Sequence, residues 1–391
     1  MISVDEALDH LFALARPLGT EHVPLSEAAG RVLSAPVSAR RTQPPFAASA
    51  MDGYALRSSD AVDGATLDLV GEAAAGHGYA GTVGQGQCVR IFTGAPLPDG
   101  ADHVTIQENV SADGSRVTLT EAGARGAHIR PAGADFSAGE SPLTPPKRLT
   151  PSDIALLAAM NVASVPVTRQ ARVALIATGD ELVMPGEAPG PDQIIASNTF
   201  GLQAMLREAG ALPRVLPIAR DTLDSLASAF RFARDADLIV TIGGASVGDH
   251  DLVAQAAAAA GMKQSFYKIA MRPGKPLMAG AMSGRMMIGL PGNPVSAMVC
   301  GRVFVGPVID VLHGLPARPA PRITATLTHD MPEGGPREHY MRAVVDEGQV
   351  TVASRQDSAL LSVLAAANAL AIRPIGAPPA KAGDPIEILP L

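Results

Sequence analysis

From Arg172 onward short apolar runs alternate with helix-like stretches, and this alternation restricts the fold more than anything else in the 391-residue chain. Val173–Ala177 is apolar enough for a buried parallel strand, and Arg214–Ile218, Leu238–Ile242, Phe266–Ala270 and Met286–Leu290 read as further strands. Thr199–Ala209 reads as a helix with Asn198 as its cap, Leu202, Met205, Leu206 and Ala209 on one face, and Gly210 as its stop. A second helix runs from Asp221 or Thr222 to about Ala233. A third covers Leu252–Ala260 and ends at Gly261, and a long apolar helix follows Gly292-Asn293-Pro294. Such alternation implies a doubly wound α/β sheet whose ligands gather at the C-terminal ends of the strands.

The flanking regions follow other patterns. Val4, Ala7, Leu8, Leu11 and Leu14 have helical spacing, with Ser3 and Glu6 placed as a capping box, and a second short helix is expected at 26–33. Thr42-Gln43-Pro44-Pro45-Phe46 cannot continue a helix. Residues 46–134 are Gly-rich with short apolar runs between turn residues, which predicts a small β module. Thr150-Pro151-Ser152-Asp153 opens another helix, expected to pack back on the N-terminal one and so make the β module an insertion. After the Pro-rich linker at 316–321, short strands predict a C-terminal β-barrel. The expected parts are a discontinuous helical linker domain (1–45 and 135–170), the β module (46–134), the α/β domain (171–316) and the barrel (317–391).

Composition removes several classes of function. A net charge of −7 gives no basic surface for nucleic acid, although it permits a local cationic pocket. Cys88 and Cys300 lack metal-ligand spacing, and the histidines show no HxxxH or HExxH pattern. The N-terminus is acidic where a signal peptide is basic, and no apolar run reaches the about 18 residues needed to span a bilayer. A cytoplasmic protein, without membrane or nucleic-acid partners, is the expectation.

Four segments lie where a doubly wound sheet binds ligands. In Thr241-Ile242-Gly243-Gly244-Ala245-Ser246-Val247-Gly248-Asp249-His250-Asp251, glycines after a strand let backbone N–H groups converge on phosphate, and Asp249 with Asp251 suits Mg2+. A glycine turn with an acidic helix cap is the plainer alternative. Lys268, Arg272 and Lys275 put three cations within eight residues around a Pro273-Gly274 turn, suited to an oxyanion or to simple solvation. Asn293, between two prolines, donates to a ligand or caps its helix. Asp180-Glu181 is either a pair of adjacent carboxylates of which one faces the site, or a turn with a solvated acid pair. Asp52, Thr93 and Asp135 read on their own as turn or solvated residues. No GxSxG elbow supports a serine hydrolase.

Seven strings in order, PPFAASAMDGYAL (44–56), RIFTGAPLPDGAD (90–102), ATGDEL (177–182), IIASNTFGL (194–202), TIGGASVGDHD (241–251), KIAMRPGKP (268–276) and LPGNPVSAM (290–298), resemble the molybdopterin molybdenumtransferases, the MoeA and gephyrin E-domain family. The resemblance implies a homodimer whose site forms between the α/β domain of one subunit and the β module of the other. It implies adenylylated molybdopterin and molybdate as substrates, release of AMP, and Mg2+ as cofactor. It assigns Asp52, Thr93, Glu181, Asp221 and Asp251 to catalysis. Gly243, Gly244, Ser246, Gly248, Lys268, Asn293 and Asp135 are assigned to substrate or phosphate. Arg272, Lys275, Pro276, Arg342 and Ser358 are assigned to molybdate, and Asp249 with Asp251 to the metal. Arg272 departs from a common lysine, and Ala47 and Ala48 from common polar residues. A molybdopterin adenylyltransferase, which would consume ATP, and a non-catalytic scaffold are the alternative readings. Adenylyltransferase and molybdoenzyme partners are further expectations.

Overall fold

The computed structural model describes residues 1–244 and 252–391, so Ser246, Gly248, Asp249 and Asp251 lie outside the described residues. Its first helix, Val4–Leu14, begins with the encoded capping box. The Glu6 N–H donates to Ser3 Oγ at 3.1 Å and the Ser3 N–H donates to the Glu6 carboxylate at 2.7 Å. Contrary to the expectation, its apolar face does not pack on the helix Pro151–Ala159. Val4, Ala7, Leu8 and Leu11 instead join the core on one face of the α/β sheet, with Leu175, Val240 and Leu290. Pro151–Ala159 packs buried Leu157, with half-buried Ile154, Leu156 and Ala159, onto the separate cluster of Val23, Leu33 and Val165.

The segment expected as a helix at 26–33 is a single 3-10 turn, Leu25–Glu27, followed by the strand Val32–Leu33. Gly30 between them has φ +76°, a left-handed conformation that stops helix propagation. Val32–Leu33 pairs with Lys147–Arg148 and meets Ser164–Thr168, which also pairs with Thr20–Pro24. Segments before and after the Gly-rich stretch thus share one small sheet. Between them the chain forms a six-stranded sheet in the order His103–Ile106, Gly53–Leu56, Gln87–Ile91, Thr66–Ala73, Arg116–Leu119, Val110–Asp113.

The α/β sheet runs Leu212–Val215, Arg172–Ala177, Leu238–Ile242, Arg285–Leu290, Pro276–Met282, Met262–Lys268. Its first four strands are parallel and its last two antiparallel. Pro276–Met282 carries no expected strand signal, because proline opens it and Ala279-Gly280-Ala281 interrupts its bulky residues. The edge strand stops at Val215 rather than reaching Ile218, where Pro217 lacks a ladder donor. Apolar clusters cover both faces. Pro294–Leu312 forms one 19-residue helix, long and apolar enough to cross a membrane by length and hydropathy, but 78% of its apolar window is buried against this sheet and its surroundings. The last region closes into a ring of Glu338–Asp346, Gln349–Val352, Ile323–Leu327, Pro385–Pro390 and Ala369–Arg373, the last pairing back to the first.

His313 follows the long helix and is buried, its Nε2 accepting the Ala171 N–H at 3.1 Å. Burial, then the charges of Arg148 and Arg31, depress its pKa from 6.5 to about 4. The folded state therefore holds it neutral. The corresponding stability is present above pH 6.5 and is lost as pH falls toward 4, by up to about 3 kcal/mol. His313→Gln, whose side-chain oxygen can accept the same N–H, should show a shallower loss in urea melts between pH 7 and 4.5. An acid limb as steep as the parent's would exclude His313 as a cause.

Candidate active site

The three central parallel strands end at Ala177, Ile242 and Leu290, and the loops that follow them surround a cavity of about 850 Å3. One side of its floor is the glycine pair. Gly243 and Gly244 have φ of +95° and +66°, and a Cβ on Gly243 would lie 2.7 Å from the Thr178 carbonyl oxygen. On Gly244 it would lie 2.3 Å from a Val253 methyl. Only glycine fits either position, and the resulting bare backbone is what lets an anion come close.

Carboxylates form a second side. Glu181 folds back over Gly179, where a Cβ would meet its Oε2 at 2.3 Å. Arg220 donates to the carbonyls of Asp180 at 3.0 Å and Leu182 at 3.2 Å, fixing this turn. The Asp221 N–H donates to Asp180 Oδ1 at 3.2 Å. Partial burial, then the charges of Asp180 and Glu181, raise the Asp221 carboxyl above its usual 3.8. A raised folded value costs stability once the group ionises, so Asp221→Asn should raise Tm at pH 7 by no more than about 2 °C. The difference should vanish below pH 3.8. A lower Tm at pH 7 would show that the carboxylate is satisfied rather than repelled.

Cations form the third side. Arg272 and Lys275 flank Pro273-Gly274, and Gly274, at φ +115°, rests against Cys300, whose Sγ would be 2.5 Å from an added Cβ. The Lys275 carbonyl accepts the Ile269 N–H at 3.1 Å, tying the turn to the sheet. Met271–Arg272 pairs with Glu338 and His339, so the barrel docks on this turn. It contributes Arg337 and the 356–359 loop to the wall. Asn293 Nδ2 donates to Ser358 Oγ at 3.1 Å, and the Val295 N–H donates to the Ser358 carbonyl at 3.0 Å, closing the joint.

Of the residues singled out in the sequence, Glu181, Asp221, Gly243, Gly244, Arg272, Lys275, Pro276, Asn293 and Ser358 line this cavity. Arg342 does not. It is fully buried one layer behind, where its Nη2 donates to the Asp357 carbonyl at 2.9 Å while Nε and Nη1 have no partner among the described residues. Lys268 lies at the end of an edge strand with Nζ 5.5 Å from the Tyr267 ring centre, and it is outside the lining. Asp135 is exposed near Gln43, whose carbonyl accepts its N–H at 3.0 Å. Asp52 and Thr93 also lie outside the lining but form a unit. The Thr93 N–H and hydroxyl donate to Asp52 Oδ1 at 2.7 and 2.8 Å, and these bonds hold the Asp52 carboxyl below the usual range.

Sequence reasoning missed Arg337, Asn198, Gln356 and Asp357. Asn198 was expected only as a cap. Its helix is Asn198–Glu208, and its Nδ2 donates to the Gly292 carbonyl at 2.7 Å, joining two loops of the cavity wall. Arg337 precedes a barrel strand and carried no strand-end signal. Among the described residues no group of three His, Cys, Asp or Glu side chains is placed to hold a metal ion.

Models of the MoeA N-terminal region (domain I and II), a probable molybdopterin binding domain and the MoeA C-terminal region (domain IV) match residues 2–161, 174–311 and 324–391. A molybdopterin molybdenumtransferase of Nostoc sp. is 36% identical over 100% of this chain and 94% of the relative. The chain belongs to the MoeA family of enzymes. Molybdopterin molybdenumtransferase 2 of Mycobacterium tuberculosis is also 36% identical, over 94% of both chains. The crystal structure of a molybdopterin biosynthesis MoeA protein from Pyrococcus horikoshii OT3 superposes with a TM-score of 0.87 at 26% identity, covering 100% of each chain. Membership in this family places the chain in molybdenum cofactor biosynthesis. The cavity sits within the stretch matched as a molybdopterin binding domain, closed on its cationic side by the C-terminal barrel.

Proposed function

We propose that this MoeA-family enzyme inserts molybdate into adenylylated molybdopterin and releases AMP. The observation that carries the proposal is the division of one cavity into a glycine floor, a carboxylate wall and a wall bearing Arg272, Lys275 and Arg337. A substrate with a phosphate chain needs the first, and a tetrahedral dianion needs the third.

Breaking the link between the two phosphates requires neutralised phosphoryl oxygens and a positioned nucleophile. The backbone at Gly243 and Gly244 seats phosphate. Glu181 orients water or substrate beside Asp221. Arg272, Lys275 and Arg337 bind molybdate, with Pro276 and Ser358 shaping its seat and Arg342 holding the 356–359 loop from behind. Asp180, Glu181 and Asp221 are hard oxygen donors of the kind Mg2+ takes, but among the described residues they are not placed as a metal-holding group. Asp249 and Asp251 would hold the ion, and bound magnesium would neutralise phosphoryl charge.

Asp52 and Thr93 act in this reading from the β module of a second subunit, so the working form is a homodimer. An adenylyltransferase supplies the nucleotide-activated pterin, and molybdoenzymes receive the product. Purified protein should release AMP from adenylylated molybdopterin and leave ATP untouched when offered free molybdopterin. Consumption of ATP in the second mixture, with no AMP in the first, would replace this reading with the adenylyltransferase.

A further inference from the structure

Two threonines, one just past the strand Arg172–Ala177 and one on the neighbouring strand Leu238–Ile242, hold buried hydroxyls without partners among the described residues. Thr178 is 2% exposed and Thr241 0%, and among the described residues neither Oγ1 has a hydrogen-bond partner. An orphaned buried hydroxyl costs stability and calls for an explanation. The two differ in their surroundings. Thr241 Oγ1 lies over Gly289 beside Met278, where a Cβ added to the glycine would be 3.2 Å away, and Thr241 does not line the cavity. Thr178 lines it. Its Oγ1 would be 3.1 Å from a Cβ on Gly243 and 2.8 Å from one on Gly244, so the hydroxyl lies against the left-handed turn of the glycine floor.

The backbone of Thr178 is fixed independently. Its N–H donates to the Ile242 carbonyl at 3.0 Å, and it bridges to Ala219 beyond the strand end. The side chain is therefore not needed to hold the strand, and valine, equal in shape, would fill its place without an unpaired hydroxyl. We propose that Thr178 is a phosphate-positioning residue, its hydroxyl donating to a phosphoryl oxygen seated on Gly243 and Gly244. The role rests on the reaction proposed above, which places a phosphate chain there. Thr178 is the side-chain donor that supplements backbone N–H groups, and the bond it makes with the ligand is the one it lacks without it.

The test compares Thr178→Val, Thr178→Ser and Thr241→Val by thermal melting, by steady-state AMP release and by calorimetric titration with inorganic pyrophosphate. Thr178→Val should melt at or above the parent temperature, because no hydrogen bond is lost. Its KM for adenylylated molybdopterin should rise about tenfold or more with kcat little changed, the pattern of lost ground-state binding. Pyrophosphate should bind about tenfold more weakly. Thr178→Ser should recover both affinities, and Thr241→Val should melt no lower than the parent with KM unchanged. An unchanged KM in Thr178→Val, or a lower Tm with a matching fall in kcat, would overturn the role. If the parent enzyme released no AMP, the reaction assignment would fail, and the pyrophosphate titration would still decide the donor. Equal binding to parent and Thr178→Val, or no binding to the parent, would overturn it.

Discussion

Mixing inactive Asp52→Ala with inactive Lys275→Ala, followed by subunit exchange, should restore about a quarter of the parent activity. Asp52 and Lys275 belong to different parts of the chain, and Asp52 does not line the cavity that contains Lys275. In a twofold dimer whose sites each combine one cavity with the partner's β module, half of the mixed dimers are heterodimers. Each heterodimer holds one intact site and one doubly altered site, so about a quarter of all sites work. Asp52 is held in one orientation, since both bonds from Thr93 converge on one of its oxygens. If the mixture stays inactive while size analysis shows exchanged dimers, Asp52 acts within its own chain or not in the site at all.

Lys275→Ala alone should lower kcat/KM for molybdate by about 10² to 10³, the range found when a preorganised charge donor is removed from a catalytic site. Three features single out Lys275. Its carbonyl is tied to Ile269, its turn is seated on buried Cys300, and it lines the cavity just before the strand Pro276–Met282 begins. Affinity for AMP should change little, because Gly243 and Gly244 follow a strand two places away in the sheet from Pro276–Met282. Lys275→Arg should recover only part of the loss, since a planar fork does not replace a compact ammonium. Lys268→Ala should stay close to the parent, because Lys268 stands outside the cavity. Equal losses of molybdate and AMP binding in Lys275→Ala would contradict a separate oxyanion seat.

The sequence made legible those features that depend on local chemistry. The capping box at Ser3 and the helix opening at Thr150-Pro151 form as their residues dictate, and Gly243-Gly244 follows a run of five apolar or β-branched residues, so its place at a strand end could be read directly. Features set by long-range packing were hidden. The strand Pro276–Met282 is recognisable only once Arg285–Leu290 and Met262–Lys268 lie on either side of it, because small residues there are packed rather than patterned. Nothing local distinguishes Arg342, sealed behind Asp357, from Arg337 five residues earlier, which lines the cavity. Burial chose between them, and burial depends on how the barrel docks against the cationic turn. The N-terminal helix shows the same limit, its apolar face being plain in sequence and its partner not.

The most direct test of the central claim is to count molybdenum and AMP in a single turnover. Enzyme loaded with adenylylated molybdopterin is mixed with molybdate and Mg2+, quenched, and analysed for free AMP and for molybdenum retained on the pterin. The account predicts that both appear together in equal amounts and that omitting molybdate suppresses both. AMP released at the full rate without molybdate, and no molybdenum on the pterin when it is supplied, would contradict it.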